Sequence, residues 1–230
     1  FNNAAGQLVV TGDELVMNIT NTLDNTNGVI ATNALTNQLT TTTLLNNQGV
    51  LKFLNDVDVQ ANNLVNVQGE IEANNQLLTV GNIDNSQGGK IVAANSLNIT
   101  SQTLNSDGVL AATQLTLNSD SFTQAQNGQL TADNANISVT ELNNSGEITA
   151  NQLSLSATNI TNTGTLAASE SLALTAENLT NNNGVINSNG QLVMTLDSLL
   201  NQQGKIYSEN LTLIADSLTN SQGEIAAFAT

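Results

Sequence analysis

Leu172-Ala-Leu-Thr-Ala-Glu-Asn-Leu-Thr-Asn-Asn-Asn-Gly-Val-Ile186 and, two units further on, Leu211-Thr-Leu-Ile-Ala-Asp-Ser-Leu-Thr-Asn-Ser-Gln-Gly-Glu-Ile225 are one pattern written twice. Each stretch holds an apolar-x-apolar pair, then a single apolar residue, an asparagine, a glycine and, two residues after the glycine, an isoleucine. Alternation at period two places successive side chains on opposite faces of an extended chain, which marks strands. No apolar stripe at helical spacing competes with it.

The pattern extends in both directions from these stretches. Gly6, Gly28, Gly49, Gly69, Gly89, Gly108, Gly128, Gly146, Gly164, Gly184, Gly204 and Gly223 follow one another at intervals of 18 to 22 residues. Two residues after each stands Leu or Ile, from Leu8 to Ile225. Four residues after most of them stands a small side chain such as Ala73, Ala132, Ala168 or Ser208, with Phe53 the bulky exception. A single unit of this length can bury nothing alone, so units must stack. The expected fold is all-β: a parallel β-helix of 11 to 12 coils, about 20 residues per coil, with three short strands per coil around a narrow apolar core. Residues 1–230 read as a single continuous repeat segment, and as a fragment, because the chain begins mid-pattern at Phe1 and ends mid-pattern at Thr230. A leucine-rich repeat shares the period but sets its asparagine beside Leu-x-Leu. Here a further apolar residue and a corner intervene, and glycine-x-Ile has no counterpart.

The 39 asparagines acquire a role in such a stack. Counting three residues back from the glycine finds Asn3, Asn25, Asn46, Asn66, Asn105, Asn143, Asn181, Asn201 and Asn220, and Asn85 if Gly88 rather than Gly89 anchors that unit. Identical amides one coil apart can hydrogen-bond as a ladder. The corner glycines Gly28, Gly49, Gly69, Gly108, Gly128, Gly146, Gly164, Gly184, Gly204 and Gly223 are expected to supply positive φ. Both roles are structural. In the same register every lysine has a glutamate one coil away: Lys52 with Glu72, Lys90 with Glu70, and Lys205 with Glu224. Such exposed pairs contribute about 0–1 kcal/mol each. Asp56/Asp58 and Asp13/Glu14 are the densest acidic clusters; a weak calcium site and a solvated surface are the two readings, and the calcium-binding nonapeptide is absent.

Composition excludes much chemistry. The chain has no Cys, His, Pro, Trp or Arg, three lysines and 19 acidic residues, for a formal charge of −16. Serine or cysteine nucleophiles paired with histidine are ruled out, as are disulfides and His- or Cys-liganded zinc. The charge repels phosphate backbones, so nucleic acid is not an expected partner. No apolar run is long enough for a membrane-spanning helix. No metal or cofactor site is expected.

The two opening stretches resemble the haemagglutinin repeats of filamentous haemagglutinin-like exoproteins, the large secreted partners of bacterial two-partner secretion systems. The string L-x-L-x-A-x-x-L-x-N-x-x-G-x-I fits several units nearly residue for residue, and the resemblance covers essentially the whole chain. It implies a right-handed β-helix serving as a stalk on the outer cell surface, in an adhesin or a contact-dependent growth inhibition exoprotein. It also implies an outer-membrane secretion transporter as partner, a host or neighbouring-cell receptor as a further one, and a monomeric rod. Absence of Cys suits that export route. The pattern is broken in three places. Asn37-x-Leu39, followed by Thr40 to Thr43, replaces an apolar pair. The units at Gly128 and Gly146 are two residues short, with Ala125 and Thr161 interrupting the ladder. Gly88-Gly89 leaves the register ambiguous by one. Local bulges are expected there.

Other functions compete. Polysaccharide lyases and hydrolases also use parallel β-helices, but a chain with three lysines and no acid cluster beside a long loop is poorly equipped for either, so no enzymatic activity is expected. Threonine keeps no single slot, which argues against an ice-binding face. Asn98, Asn136, Asn159, Asn178 and Asn210 stand in Asn-x-Ser/Thr triplets, for which there are two readings, glycan acceptors and a pattern that arises automatically where polar positions alternate with Ile or Leu, the second being favoured. Tyr207, in an outward slot, is either a contact or incidental.

Overall fold

A computed structural model describes residues 1–228. It is an all-β, parallel β-solenoid with about 20 residues per turn. No helix of the described residues is long and apolar enough to cross a membrane. Contacts group the chain into two compact units, Phe1–Ser119 and Asp120–Thr230.

The first unit contains β1 (Gln7–Val10), β2 (Glu14–Asp24), β3 (Val29–Thr32), β4 (Thr36–Leu45), β5 (Val50–Phe53), β6 (Asp56–Val65), β7 (Glu70–Asn85) and β8 (Lys90–Ser106). Strand β9 (Val109–Gln124) contains the division. The pairing is parallel throughout the unit: β1 with β3, β3 with β5, β5 with β7, and β2, β4, β6 and β7 in sequence, then β7 with β8. Inward positions stack as columns. Leu8, Ile30, Leu51, Ile71 and Ile91 form one, and Leu23, Leu44, Leu64, Ile83 and Leu104 another. Apart from the first coil's Leu8 these side chains are buried. Each fully buried Leu or Ile contributes about 1.5–3 kcal/mol relative to exposure. One column is mixed: Leu15, Asn37, Val57, Gln76 and Leu97. Its two amides satisfy corner carbonyls. Asn37 Nδ2 donates to Ala34 O and Asp56 O, at 3.1 and 2.9 Å. Gln76 Nε2 donates to Val92 O at 2.6 Å.

The second unit continues with β10 (Gln129–Asn144), β11 (Glu147–Asn162), β12 (Thr165–Asn182), β13 (Val185–Gln202), β14 (Lys205–Ser221) and β15 (Glu224–Ala227), each paired in parallel with the next. Leu130, Ile148, Leu166, Ile186, Ile206 and Ile225 form the column after the glycines.

The three short strands expected per coil are drawn differently. From β7 onward a full coil is one hydrogen-bonded run of 16 to 18 residues, because pairing continues through the corners. Three inward faces remain visible in burial. Along β12, Leu166 and Ala168 face in, then Leu172, Leu174 and Ala176, then Leu179 and Asn181, with exposed Ser169-Glu170 and Glu177-Asn178 between them. Register shifts between Ala73 and Asn75, Ala150 and Gln152, and Ser188 and Gln191 absorb the differences in coil length.

Candidate functional site: a buried amide ladder at the glycine corner

One inward position is polar in every coil. In the first unit it is filled by Asn3, Asn25, Asn46, Asn66, Asn85 and Ser106, in the second by Gln124, Asn144, Asn162, Asn181, Asn201 and Asn220. The local cause is strand alternation: from Asn25 to Asn201 each stands two residues after the last inward apolar side chain, as Asn25 follows Leu23 and Asn144 follows Leu142. Asn25, Asn46, Asn66, Asn85, Asn162, Asn181 and Asn201 are fully buried.

The amides bond head to tail. Asn3 Nδ2 donates to Asn25 Oδ1 at 2.7 Å, Asn25 to Asn46 at 2.8 Å, Asn46 to Asn66 at 2.7 Å and Asn66 to Asn85 at 2.8 Å. Asn85 Nδ2 then meets the Ser106 hydroxyl at 3.2 Å. In the second unit Asn144, Asn162, Asn181, Asn201 and Asn220 continue in the same sense, each step 2.8 Å. The second amide hydrogen of each donor goes to backbone carbonyls at the corner, as Asn66 Nδ2 does to Gly69 O and Lys90 O at 3.2 and 3.0 Å. Amides so placed are among the few polar groups that can be buried without a large desolvation cost.

Asn105 and Asn143 are not in this ladder. Register pairs Asp84 with Asn105 and Asn85 with Ser106, and pairs Asn143 with Thr161 and Asn144 with Asn162. Counting three residues back from the glycine fails at these corners because they are one residue shorter, and a shift of one turns a side chain to the opposite face. Asn162 fills the slot beside Thr161 at another short corner, whereas Gln124 fills the one beside Ala125 because the corner to Gly128 is one residue longer. Gln124 is fully buried and neither end of its amide has a hydrogen-bond partner. Asn144 Oδ1 is likewise unpaired.

The corner glycines serve a different need from the one expected. Gly28, Gly49, Gly69, Gly108, Gly146, Gly164, Gly184, Gly204 and Gly223 all lie outside the left-handed region. The positive φ belongs instead to the residue before the glycine: Asn27 at 54°, Gln48 at 54°, Gln68 at 54°, Asn183 at 58°, Gln203 at 54° and Gln222 at 56°. What the corner glycine supplies is space. A Cβ on Gly28, Gly49 or Gly69 would sit 2.2, 2.1 or 1.9 Å from the Asn carbonyl oxygen of the coil before. The same atom would lie 2.5–2.6 Å from the ladder Oδ1 of its own coil. Gly128 belongs to the same column, since its carbonyl oxygen would lie 2.4 Å from a Cβ on Gly146. Gly89 holds the anchor position at the ambiguous corner, and Gly88 is the extra residue, with φ of 81°. A second, exposed amide pairing runs along the left-handed positions, where Gln48 Nε2 donates to Gln68 Oε1 at 2.7 Å and Gln203 Nε2 to Gln222 Oε1 at 3.0 Å.

Charges sit outside this core. Lys52 and Glu72 are register partners with 2.7 Å between Nζ and Oε2. The pair's hydrogen bond holds the Glu72 carboxyl below its ordinary range and raises the Lys52 ammonium. Lys90 and Glu70 are register partners 3.8 Å apart. Lys205 and Glu224 are also register partners, but no ion pair joins them among the described residues. Instead the Tyr207 hydroxyl donates to the Glu224 carboxylate, which raises the tyrosine's pKa, and the Tyr207 ring packs 5.7 Å from that of Phe228. The Thr26 side chain and backbone hold the Asp24 carboxyl below its usual value. Among the described residues no group of three or more acidic side chains is placed to hold a metal ion.

A family model described as haemagglutinin repeat matches residues 2–49 and 30–101. No curated protein and no solved structure matches the chain.

Proposed function

Taking the chain as a carrier of haemagglutinin repeats, consistent with a filamentous haemagglutinin-like protein, we propose that it is a shaft segment of a large secreted bacterial surface exoprotein. Its work is reach: it holds adhesive or toxic modules away from the outer membrane. The observation that carries this reading is the allocation of inward side chains. Coil after coil, they are spent on apolar columns and one amide ladder, which are interactions between successive coils. The haemagglutinin repeat itself points to a structural, adhesin-like protein. Export through an outer-membrane two-partner secretion transporter to the bacterial surface, and contact with a receptor on a host or neighbouring cell, belong to the same proposal.

An epitope placed at the exposed Ser169-Glu170 corner of the full-length exoprotein tests it. Intact producing cells are expected to label strongly when the transporter is present and not when its gene is deleted. Label that appears only after lysis, with or without the transporter, would overturn the reading.

A further inference from the structure

Large apolar side chains are exposed at nine positions among the described residues. Phe1, Val9 and Val16 belong to the first coil, and Ile214, Leu218 and Phe228 to the last. The remaining three are Leu35, Leu54 and Leu77, with 68%, 63% and 45% of their surface exposed. They fall in successive coils of the first unit and flank one corner. Outward positions elsewhere in this repeat are mostly Asn, Ser, Thr or Gln, so three leucines together in the interior of a stack are a cost to solubility that packing does not explain.

The surface around them is hollowed and acidic. Leu35 and Leu77 line one open hollow of about 330 Å³ together with Asp56 and Asp58. Leu54 lines a neighbouring hollow of about 260 Å³ beside Val92. Asp56 Oδ1 accepts from Asn75 Nδ2 at 2.7 Å, and Asp58 Oδ2 from Gln60 Nε2 at 3.2 Å. Asp58 Oδ1 is shielded from solvent with no hydrogen-bond partner. Neither carboxylate has a cation beside it among the described residues, and the nearby Lys52 is held by Glu72. The first unit carries nine acidic residues against Lys52 and Lys90.

We propose that this corner, presenting Leu35, Leu54 and Leu77 beside Asp56 and Asp58, is a docking surface for a partner-protein segment that is both aliphatic and basic. Aliphatic side chains fill the two hollows, and a lysine or arginine pairs with the accessible face of the Asp56 and Asp58 carboxylates, which have no cation of their own. The charge decides between occupants. A second copy of this chain would bring its own acidic surface against the same carboxylates, and an anionic lipid surface or a nucleic acid would be repelled. The site adds a lateral contact to the shaft and does not depend on the shaft reading, since it is measured on the isolated chain.

The test uses a fluorescein-labelled peptide of alternating lysine and leucine, with glutamate–leucine and lysine–serine peptides as controls. Anisotropy titration against the 230-residue chain is expected to give saturable binding of the first peptide alone. The double substitution Leu35→Thr with Leu77→Thr, which keeps good strand formers on the surface, is expected to weaken that binding by about tenfold or more. Asp58→Asn is expected to weaken it several-fold and flatten its salt dependence, and Ile214→Thr to leave it unchanged. Absence of binding, equal binding of the lysine–serine peptide, or indifference to the leucine substitutions in a chain whose circular dichroism is unaltered would each overturn the proposal. So would a concentration-dependent dimer that the same double substitution abolishes, which would identify a second copy as the occupant.

Discussion

Most corners that carry the ladder are of two kinds, and only Asn85 to Gly89 and Gln124 to Gly128 are longer than both. In the long kind, Asn25 to Gly28, Asn46 to Gly49, Asn66 to Gly69 and Asn181 to Gly184, two residues separate the amide from the glycine, and the second is left-handed. In the short kind, Ser106 to Gly108, Asn144 to Gly146 and Asn162 to Gly164, one residue separates them, and Asp107, Ser145 and Thr163 are not left-handed. The crowding moves with the length. At Gly49 or Gly69 a side chain would strike the preceding coil's Asn carbonyl, whereas at Gly108 or Gly164 it would strike the preceding glycine's carbonyl, at 1.9 or 2.1 Å. Corner length can therefore vary while the inward slot and the close backbone approach do not. The repeat is held constant by what is buried, and its period is free to drift between 18 and 22 residues.

The largest expected effect breaks the shared feature. Gly69→Ala puts a methyl group 1.9 Å from a backbone oxygen that cannot rotate away, and is expected to cost about 3 kcal/mol or more in urea unfolding. Gly12→Ala, with nothing within 4 Å, is expected to change stability by less than about 0.5 kcal/mol. Equal costs would mean that crowding is not why the corner is glycine.

Next comes the ladder. Asn46→Ala removes a donor and an acceptor at once and leaves Asn25 Nδ2 and Asn66 Oδ1 short of a partner, for an expected loss of about 2–3 kcal/mol. Gln124→Asn should act in the opposite direction. The shorter amide matches its column, and pairing with Asn144 Oδ1 is expected to raise stability by about 1 kcal/mol. A loss on thermal unfolding would show that the longer side chain fits its pocket better than the ladder geometry implies. The corner contrast itself is sharpened by Gln87→Asn. Asparagine tolerates the left-handed backbone better than glutamine, so a gain of a few tenths of a kcal/mol is expected at φ of 52°.

The smallest effect is electrostatic. Glu72, whose carboxyl is held low by Lys52, contributes above the ordinary carboxylate range, and that contribution is lost as pH falls through its lowered folded value. Lys52, raised by Glu72, contributes below the ordinary lysine range and loses its share as pH rises through the raised folded value. The pair is solvent-exposed, so Lys52→Met is expected to lower the melting temperature slightly at neutral pH and not at all at the two extremes. An undiminished difference in acid would contradict the pairing.

Much of the fold is legible in the sequence because each coil repeats the same inward apolar residues, and parallel stacking follows from their shared spacing. The ladder was legible only in part. Glycine is the conspicuous marker, yet it ends a turn of variable length, so counting back from it misplaced Asn105 and Asn143. Counting forward from the inward apolar residue, Leu104 to Ser106 or Ile160 to Asn162, finds the slot because strand alternation holds where turns do not. The role of glycine was hidden for another reason. Crowding by a neighbouring coil's carbonyl is set by three-dimensional stacking and leaves no trace in local propensity. Leu35, Leu54 and Leu77 are similarly silent in the sequence, where they look like any other apolar residue of the repeat.

Alternation from the preceding apolar residue, not distance from the glycine, defines the buried amide. Thermal unfolding of Asn143→Ala and Asn144→Ala, adjacent residues of the same type in one strand, tests it most directly. Asn144→Ala is expected to lower the melting temperature by several degrees, roughly 2–4 °C for each kcal/mol lost, while Asn143→Ala leaves it nearly unchanged. A larger loss at Asn143 than at Asn144 would contradict it.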